Sequence, residues 1–362
     1  MRDEMIEYTV KDGFAVKGKT ELHRKWRDSS IGEVLQPMLF VPIASITPDR
    51  TKLPMRVGSV YALKLKLKAY QDVELHASAT PNESSMPVVL KKGQVETIGG
   101  NNIELGGNKN YVIPFDMYTQ GQAQNLSEIE IRYSHIPEIT MFQPSEVELL
   151  PIQMEPVSGT ILYIEGSGDE VDESLEFIGY KVDRTRLSDI SEEQLKTYKA
   201  VIVGIRAFNT NQDVITYRDK LMNYVKEGGN MIVQYNTSRG LLTEDIGPFP
   251  FKLDRGRVTE ESANVTILAP KHPVFNKPNK INLEDWSGWV QERGLYFADS
   301  WDEHYTPLLA WHDEGEEPLK GALIVAGYWK GTFTYTGISF FRQLPAGVPG
   351  AYRLMVNLIE LK

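Results

Sequence analysis

The chain has 362 residues, 41% hydrophobic and 24% charged, a balance that fits folded globular domains and, at this length, two cores rather than one. Most of its net charge of −10 is carried by residues 151–362, which hold 22 Lys/Arg against 30 Asp/Glu; that excludes a basic nucleic-acid surface and disfavours an anionic membrane as partner. With no cysteine, disulfides, thiolate nucleophiles and Cys-ligated zinc are ruled out.

Met1 to Val10 is charged and lacks the apolar segment of a signal peptide. No run approaches the roughly 20 apolar residues that cross a bilayer, so no membrane span is expected. Residues 7–16 suggest a hairpin and 21–30 a loose polar segment, which leaves the fold of 1–36 open. From about residue 37 to 151 the pattern has a period of two, clearest at 60–68, 72–76 and 129–133. Alternating apolar and polar side chains put one face of a strand on a core and the other in water. Turn-formers at Thr80-Pro-Asn82, Gly99-Gly-Asn-Asn102 and Gly106-Gly-Asn108 separate these strands. Residues 1–152 are therefore expected to be an antiparallel β-sandwich.

After Pro151 and Pro156 the texture changes. Apolar strands are predicted at 160–164, 180–183, 200–204 and 230–234, separated by helices at 170–178, 191–197 and 214–226. Ser191 and Gln194 have the spacing of a capping box, and Gly179 and Gly228 stand where helices end. Continuous apolar strands alternating with helices imply a parallel sheet covered on both faces. Residues 157–362 thus read as a three-layer α/β domain on a flavodoxin-like or class I glutamine amidotransferase-like plan, and the fold class of the chain as α/β plus all-β. Strands at 322–326 and 332–337 and a helix at 349–361 close it. Residues 238–320 are too long for a structureless loop and are expected to form a structured insertion, a lid or a site.

Parallel α/β sheets bind ligands beyond the carboxyl ends of their strands, which points to residues 165–169, 206–211 and 235–239 as one rim. Gly166-Ser-Gly168 is followed by Asp169, Glu170, Asp172 and Glu173, and these carboxylates would repel a phosphate. A nucleophile would belong on the turn 234–240. That turn offers only Thr237 and Ser238, alcohols that need a neighbouring base. His272, His304 and His312 show no zinc spacing, so no metal, cofactor or catalytic residue is predicted. Five of the six tryptophans fall at 286, 289, 301, 311 and 329, near Gln291, Glu292, Arg293, Tyr296, Asp299 and Arg342. They suit either a surface that holds a sugar or peptide, or a core or domain interface.

Several longer strings carry a resemblance: Gly204-Ile-Arg-Ala-Phe-Asn-Thr-Asn211, Val233-Gln-Tyr-Asn-Thr237, His272-Pro-Val-Phe-Asn276, the stretch 288–297 and the stretch 339–353. Together with Tyr133-Ser-His-Ile-Pro137 they resemble the C-terminal region of large bacterial PIG-L-type (LmbE-like) deacetylases, over residues 127–362. That resemblance implies an amidotransferase-like fold related to the trehalose-utilisation-like group, carried behind a zinc-dependent N-acetyl sugar deacetylase domain, and an extracytoplasmic setting. The His-Pro-Asp-Asp type motif of the zinc domain does not occur in this sequence.

The leading expectation is a non-catalytic accessory module that binds carbohydrate or a partner protein, the deacetylase domain among them. Its ligand-binding set is Arg206, Asn209, Asn211, Tyr235, Asn236, Trp289, Glu292, Arg293 and Arg342. The alternatives are a structural or oligomerising domain whose Trp-rich segment packs against the β domain or makes a homo-oligomer contact with a second subunit, and a hydrolase with a degenerate nucleophile turn at 236–238.

Overall fold

The structure, a computed structural model, describes residues 5–9, 15–19, 23–30, 32–37, 41–78, 87–105, 107, 109–119, 122–136 and 138–361. They fall into two compact units. One comprises Met1–Pro48, Leu65–Ile98 and Pro114–Ser145; the other comprises Asp49–Lys64, Gly99–Ile113 and Glu146–Lys362. The class is mixed, with many antiparallel strands in several sheets and an α/β sheet with helices.

In the first unit, Ala44–Pro48 pairs antiparallel with the end of the strand Val60–Ala69, from Ala44 opposite Ala69 to Pro48 opposite Leu65. Leu65 and Leu67 are buried and Lys66 is exposed, as a period of two requires. A four-stranded sheet orders Gln122–Gln124, Asp116–Thr119, Val73–Ser78 and Pro87–Leu90. Ile46, Leu75, Leu90 and Met117 are fully buried. The Lys68 ammonium sits between Glu128 at 2.7 Å and Glu130 at 2.8 Å on the face opposite the buried leucines.

Two local expectations change. Gly99-Gly-Asn-Asn102 is not a turn but lies inside the ten-residue strand Val95–Glu104, because glycine tolerates extended backbone as readily as a turn and strand pairing decides between them. In place of a loose segment, residues 23–30 form a strand and turn: His23–Asp28 pairs antiparallel with Gly32–Pro37, and the Asp28 carboxylate accepts from the Ser30 amide and hydroxyl. Met5–Thr9 pairs with Ala15–Lys19, the hairpin expected at 7–16. The turn expected at 80–82 lies outside the described residues, as do Gly106 and Asn108.

The second unit is built on one seven-stranded sheet. In chain order its elements are β1 (Thr160–Ile164), α1 (Val171–Phe177), β2 (Lys181–Asp183), α2 (Glu192–Leu195), β3 (Ala200–Val203), α3 (Ala207–Thr210), α4 (Gln212–Thr216), α5 (Arg218–Lys226), β4 (Asn230–Gln234), β5 (Tyr305–Pro307), β6 (Leu323–Tyr328), β7 (Gly331–Thr336), α6 (Phe340–Gln343) and α7 (Pro349–Ile359). The sheet order is β2-β1-β3-β4-β7-β6-β5. The first five strands run parallel, and β6 and β5 add antiparallel at one edge. Strand residues alternate between two cores. Ile161, Tyr163, Ala200 and Ile202 face α1 and α7, while Leu162, Ile164, Val201 and Val203 face α2 and α5. Burial on both faces explains why these strands read as unbroken apolar runs.

Helix ends follow local chemistry. Ser191 and Gln194 form both bonds of the capping box, Pro349 opens α7 at a position whose N–H would be unpaired, and Gly179 and Gly228 end helices with left-handed φ of 114° and 113°. The helix expected over 214–226 is broken at Tyr217, φ −106° and ψ 20°. The preceding Val214-Ile-Thr216 run is β-branched, which weakens a helix, and Asn211 caps the α4 start separately. Residues 238–320 are ordered by short ladders: Phe251–Leu253 with Ala298–Trp301, Arg257–Val258 with Gly294–Leu295, and Val265–Ile267 with Leu309–Trp311. No helix among the described residues is long and apolar enough to cross a membrane.

Candidate functional site: an aromatic and guanidinium rim

Beyond the carboxyl end of β3 the chain reverses at Arg206, which has left-handed φ 57° and ψ 19°. Its N–H donates to the Tyr235 carbonyl at 2.8 Å, tying the end of β3 to that of β4. Tyr235 is nearly buried. Its ring lies parallel to that of Tyr296 at 6.0 Å between centroids and within 5.2 Å of Phe341. The Arg342 guanidinium sits 4.8 Å over the Phe341 ring, donates from Nε to Glu292 Oε1 at 2.9 Å, and bonds Gln291 Oε1. Tyr296 and Gln291 are themselves left-handed, with φ 53° and 63°.

Four non-glycine residues have left-handed φ among the described residues, and three of them meet here; the fourth, Trp329, turns the β6–β7 hairpin. An L-residue costs about 1–2 kcal/mol in this region. A surrounding structure that holds three such residues against one ring stack fixes its geometry tightly.

The rim is electrostatically mixed. Burial pushes the Tyr235 hydroxyl up, the Arg206 and Arg342 cations act against that, and Glu292 adds to it. Glu292, 5% exposed, is held between Arg257 at 3.0 Å and Arg342 at 2.9 Å. The exposed Arg206 guanidinium has no hydrogen-bond or ion-pair partner among the described residues, so its donors face solvent. Flat rings beside forked donors suit hydroxyl- and amide-bearing ligands.

The remaining residues of the expected set are placed differently. Asn209 knits the rim loops, accepting from Thr237 N at 2.9 Å and donating to the Thr237 and Arg239 carbonyls. Asn211 caps α4 and donates to the Glu165 carbonyl at 2.7 Å. Asn236 is fully buried, accepts from Phe208 N at 2.8 Å and donates to the Gln234 carbonyl. Trp289 and Arg293 point away from the rim: Trp289 packs with Trp286 and Trp311 at 5.5 and 6.1 Å, and Arg293 lies beneath them in a separate cleft. Neighbouring Glu292 and Arg293 thus serve two different places. Trp286, Trp289 and Trp311 are at most 7% exposed and fill a core, whereas Trp329 is 77% exposed.

A concavity of about 440 Å³ opens beyond β1 and β2, where Glu165, Arg184, Arg186 and Asn211 line it. The Arg184 guanidinium is occupied by Asp172 and Glu176. The Gly166 loop above it is shaped by packing. A Cβ on Gly166 would meet the Ile205 carbonyl oxygen at 2.0 Å, and Ser167 N donates to that same carbonyl. The sharp strand-to-helix turn expected at 234–240 stands instead at Arg206, since no helix follows β4 directly. The Thr237 hydroxyl donates to the Arg239 carbonyl. Among the described residues no histidine is bonded to Thr237 or Ser238: His272 accepts from Val274 N, His304 pairs with Asp302 while stacking on Phe249 at 4.1 Å, and His312 contacts the Asp313 carbonyl. No group of three or more potential ligands that could hold a metal occurs among the described residues.

Phe341 and Arg257 complete the rim without having been singled out from the sequence. Aromatic content near Arg342 is the signal that could have found Phe341; nothing in the sequence marks left-handed Arg206, Gln291 or Tyr296.

No family model matches the chain, and no curated protein does. Among solved structures, it is similar to a β-galactosidase from Rahnella sp. R3, with 15% identity and a TM-score of 0.34 over 57% of this chain and 32% of that one. It is also similar to the exo-β-1,4-mannosidase Op5Man5 from Opitutaceae bacterium strain TAV5, with 13% identity and a TM-score of 0.30 over 54% of this chain and 35% of that one. The chain spans about a third of the length of either structure, and likenesses at this level carry no weight for fold or activity.

Proposed function

We propose that this chain is a non-catalytic accessory module that binds carbohydrate at the strand-end rim, working beside a zinc-dependent N-acetyl sugar deacetylase of the PIG-L type. In this reading the second unit is a flavodoxin-like, amidotransferase-like three-layer domain, and the first unit is a β-sandwich. The parallel order β2-β1-β3-β4-β7 supports the former. The observation that carries the function is the stack of Tyr235, Tyr296 and Phe341 flanked by Arg206 and Arg342, positioned by three left-handed residues. Sugar rings present apolar faces to aromatic planes and hydroxyls or amides to forked donors. A partner protein remains the second reading, favoured by the unpartnered, exposed Arg206 guanidinium. Calorimetric titration with N-acetylglucosamine oligomers tests the proposal. The expected result is saturable binding, weakened at least tenfold by Arg206→Gly; no binding of any glycan, or binding untouched by that change, contradicts it.

A further inference from the structure

A separate cleft in the second unit, about 550 Å³ in volume, is bordered by Glu261, Asn264, Leu283, Trp286, Trp289 and Arg293. Arg293 is 2% exposed. Its two terminal nitrogens donate to the carbonyls of Trp286 at 2.7 Å and Ala263 at 2.8 Å, and its guanidinium lies 5.4 Å over the Trp289 ring. Its Nε is buried and has no partner, and the residue has no ion pair among the described residues. The nearby carboxylates are engaged elsewhere: Glu292 with Arg257 and Arg342, Asp285 with Arg353 and the Asn282 amide, and Glu261 with the Gln291 amide.

Buried cations are normally paired, because a desolvated charge without a counter-ion costs several kcal/mol. Carbonyl dipoles and an indole face soften that cost without neutralising the charge. Burial presses the Arg293 pKa down to about 10, so the cation persists at neutral pH. A positive charge without an ion-pair partner among the described residues therefore stands at the edge of an open cleft whose walls include two indoles and the Glu261 side chain, held by the Gln291 amide. Exposed Leu283 adds apolar surface, and Asn264, Ser262 and Ser287 add hydroxyl and amide groups.

We propose that this cleft binds an acidic sugar, the carboxylate of a uronate residue supplying the anion that Arg293 lacks while the pyranose ring rests on the indole and leucine walls. The assignment concerns residues other than the rim stack and stands whether or not the rim binds a glycan. A charge buried without a partner also makes such a ligand stabilising, since it binds only the folded form.

The test uses methyl β-D-glucuronide against methyl β-D-glucoside, which differ only in a carboxylate for a hydroxymethyl, with benzoate as a carboxylate lacking the sugar. Binding is followed by ligand-observed NMR at millimolar concentration and by thermal melting of the full chain. The expected result is binding and a raised Tm with the glucuronide, at least tenfold weaker binding of the glucoside and of benzoate, and an affinity that falls with added salt. Arg293→Met removes two hydrogen bonds and the indole contact along with the charge, so Leu283→Glu, which touches none of them, serves as the variant. Leu283 is 83% exposed, so that change keeps the fold and sets a negative charge at the cleft; it should weaken the glucuronide at least fivefold. Equal binding of glucoside and glucuronide, equal binding of benzoate, no binding of any of them, or indifference to Leu283→Glu overturns the proposal.

Discussion

Arg206 joins two demands that pull in opposite directions. Its left-handed backbone favours glycine, while its guanidinium is the freest cation of the rim. Replacing it with glycine relieves strain of about 1–2 kcal/mol and loses part of that to the greater freedom of the unfolded chain. Arg206→Gly is therefore expected to unfold in urea with unchanged stability or a gain of about 1 kcal/mol, even as glycan binding falls. A clear loss of stability would mean that the side chain is a structural tie. Asn236 behaves in the opposite way. Its carboxamide is fully buried and pairs the Phe208 N–H and the Gln234 carbonyl, so Asn236→Ala leaves both unsatisfied. The expected cost in the same urea measurement is about 2 kcal/mol, with any effect on ligand following from movement of α3. The residue types at these positions were legible as polar groups at strand ends. Which of them supports backbone and which faces solvent was not, because that depends on partners 28 residues or more away along the chain.

At the scale of elements, β1, α1, β2, α2, β3, β4, β6, β7 and α7 were readable because each has a strong apolar run or a chemically marked end. The elements that escaped are short: α3 and α6 have four residues each and β5 has three. Such pieces are too brief for a period to register, and they exist only through packing on neighbours. The same holds for the two- to four-residue ladders inside 238–320, where the tryptophans meet. Trp286, Trp289 and Trp311 form one cluster with centroid separations of 5.5–6.1 Å, and Trp311 is fully buried at the junction of the Val265–Ile267 ladder. Trp311→Ala is expected to cost about 3–5 kcal/mol and to lower the thermal midpoint. A change near zero would show that this segment is not part of the core.

At the scale of the whole molecule, the second unit carries several phenols deep in its cores. Tyr163, Tyr180, Tyr224, Tyr305, Tyr335 and Tyr352 are each at most 4% exposed, and burial pushes every one of them up, Tyr224 to about 12. An acid whose folded pKa is raised stabilises the fold fully below its unfolded value, and that stability is lost as pH rises through the interval above it. The unfolded value of tyrosine is near 10, so unfolding is expected to set in cooperatively as pH climbs beyond about 10. The absorbance of these six phenolates should appear as a cooperative step together with the loss of helical circular dichroism, separate from that of the exposed tyrosines. Ionisation of all 17 tyrosines while structure persists would contradict the burial described.

The most direct test of the rim is to follow tyrosine and phenylalanine ring resonances while N-acetylglucosamine tetramer is added. The account predicts concentration-dependent shifts centred on Tyr235, Tyr296 and Phe341, with the buried ring of Tyr352 unmoved. Shifts confined to other rings, or none at saturating glycan, would contradict it.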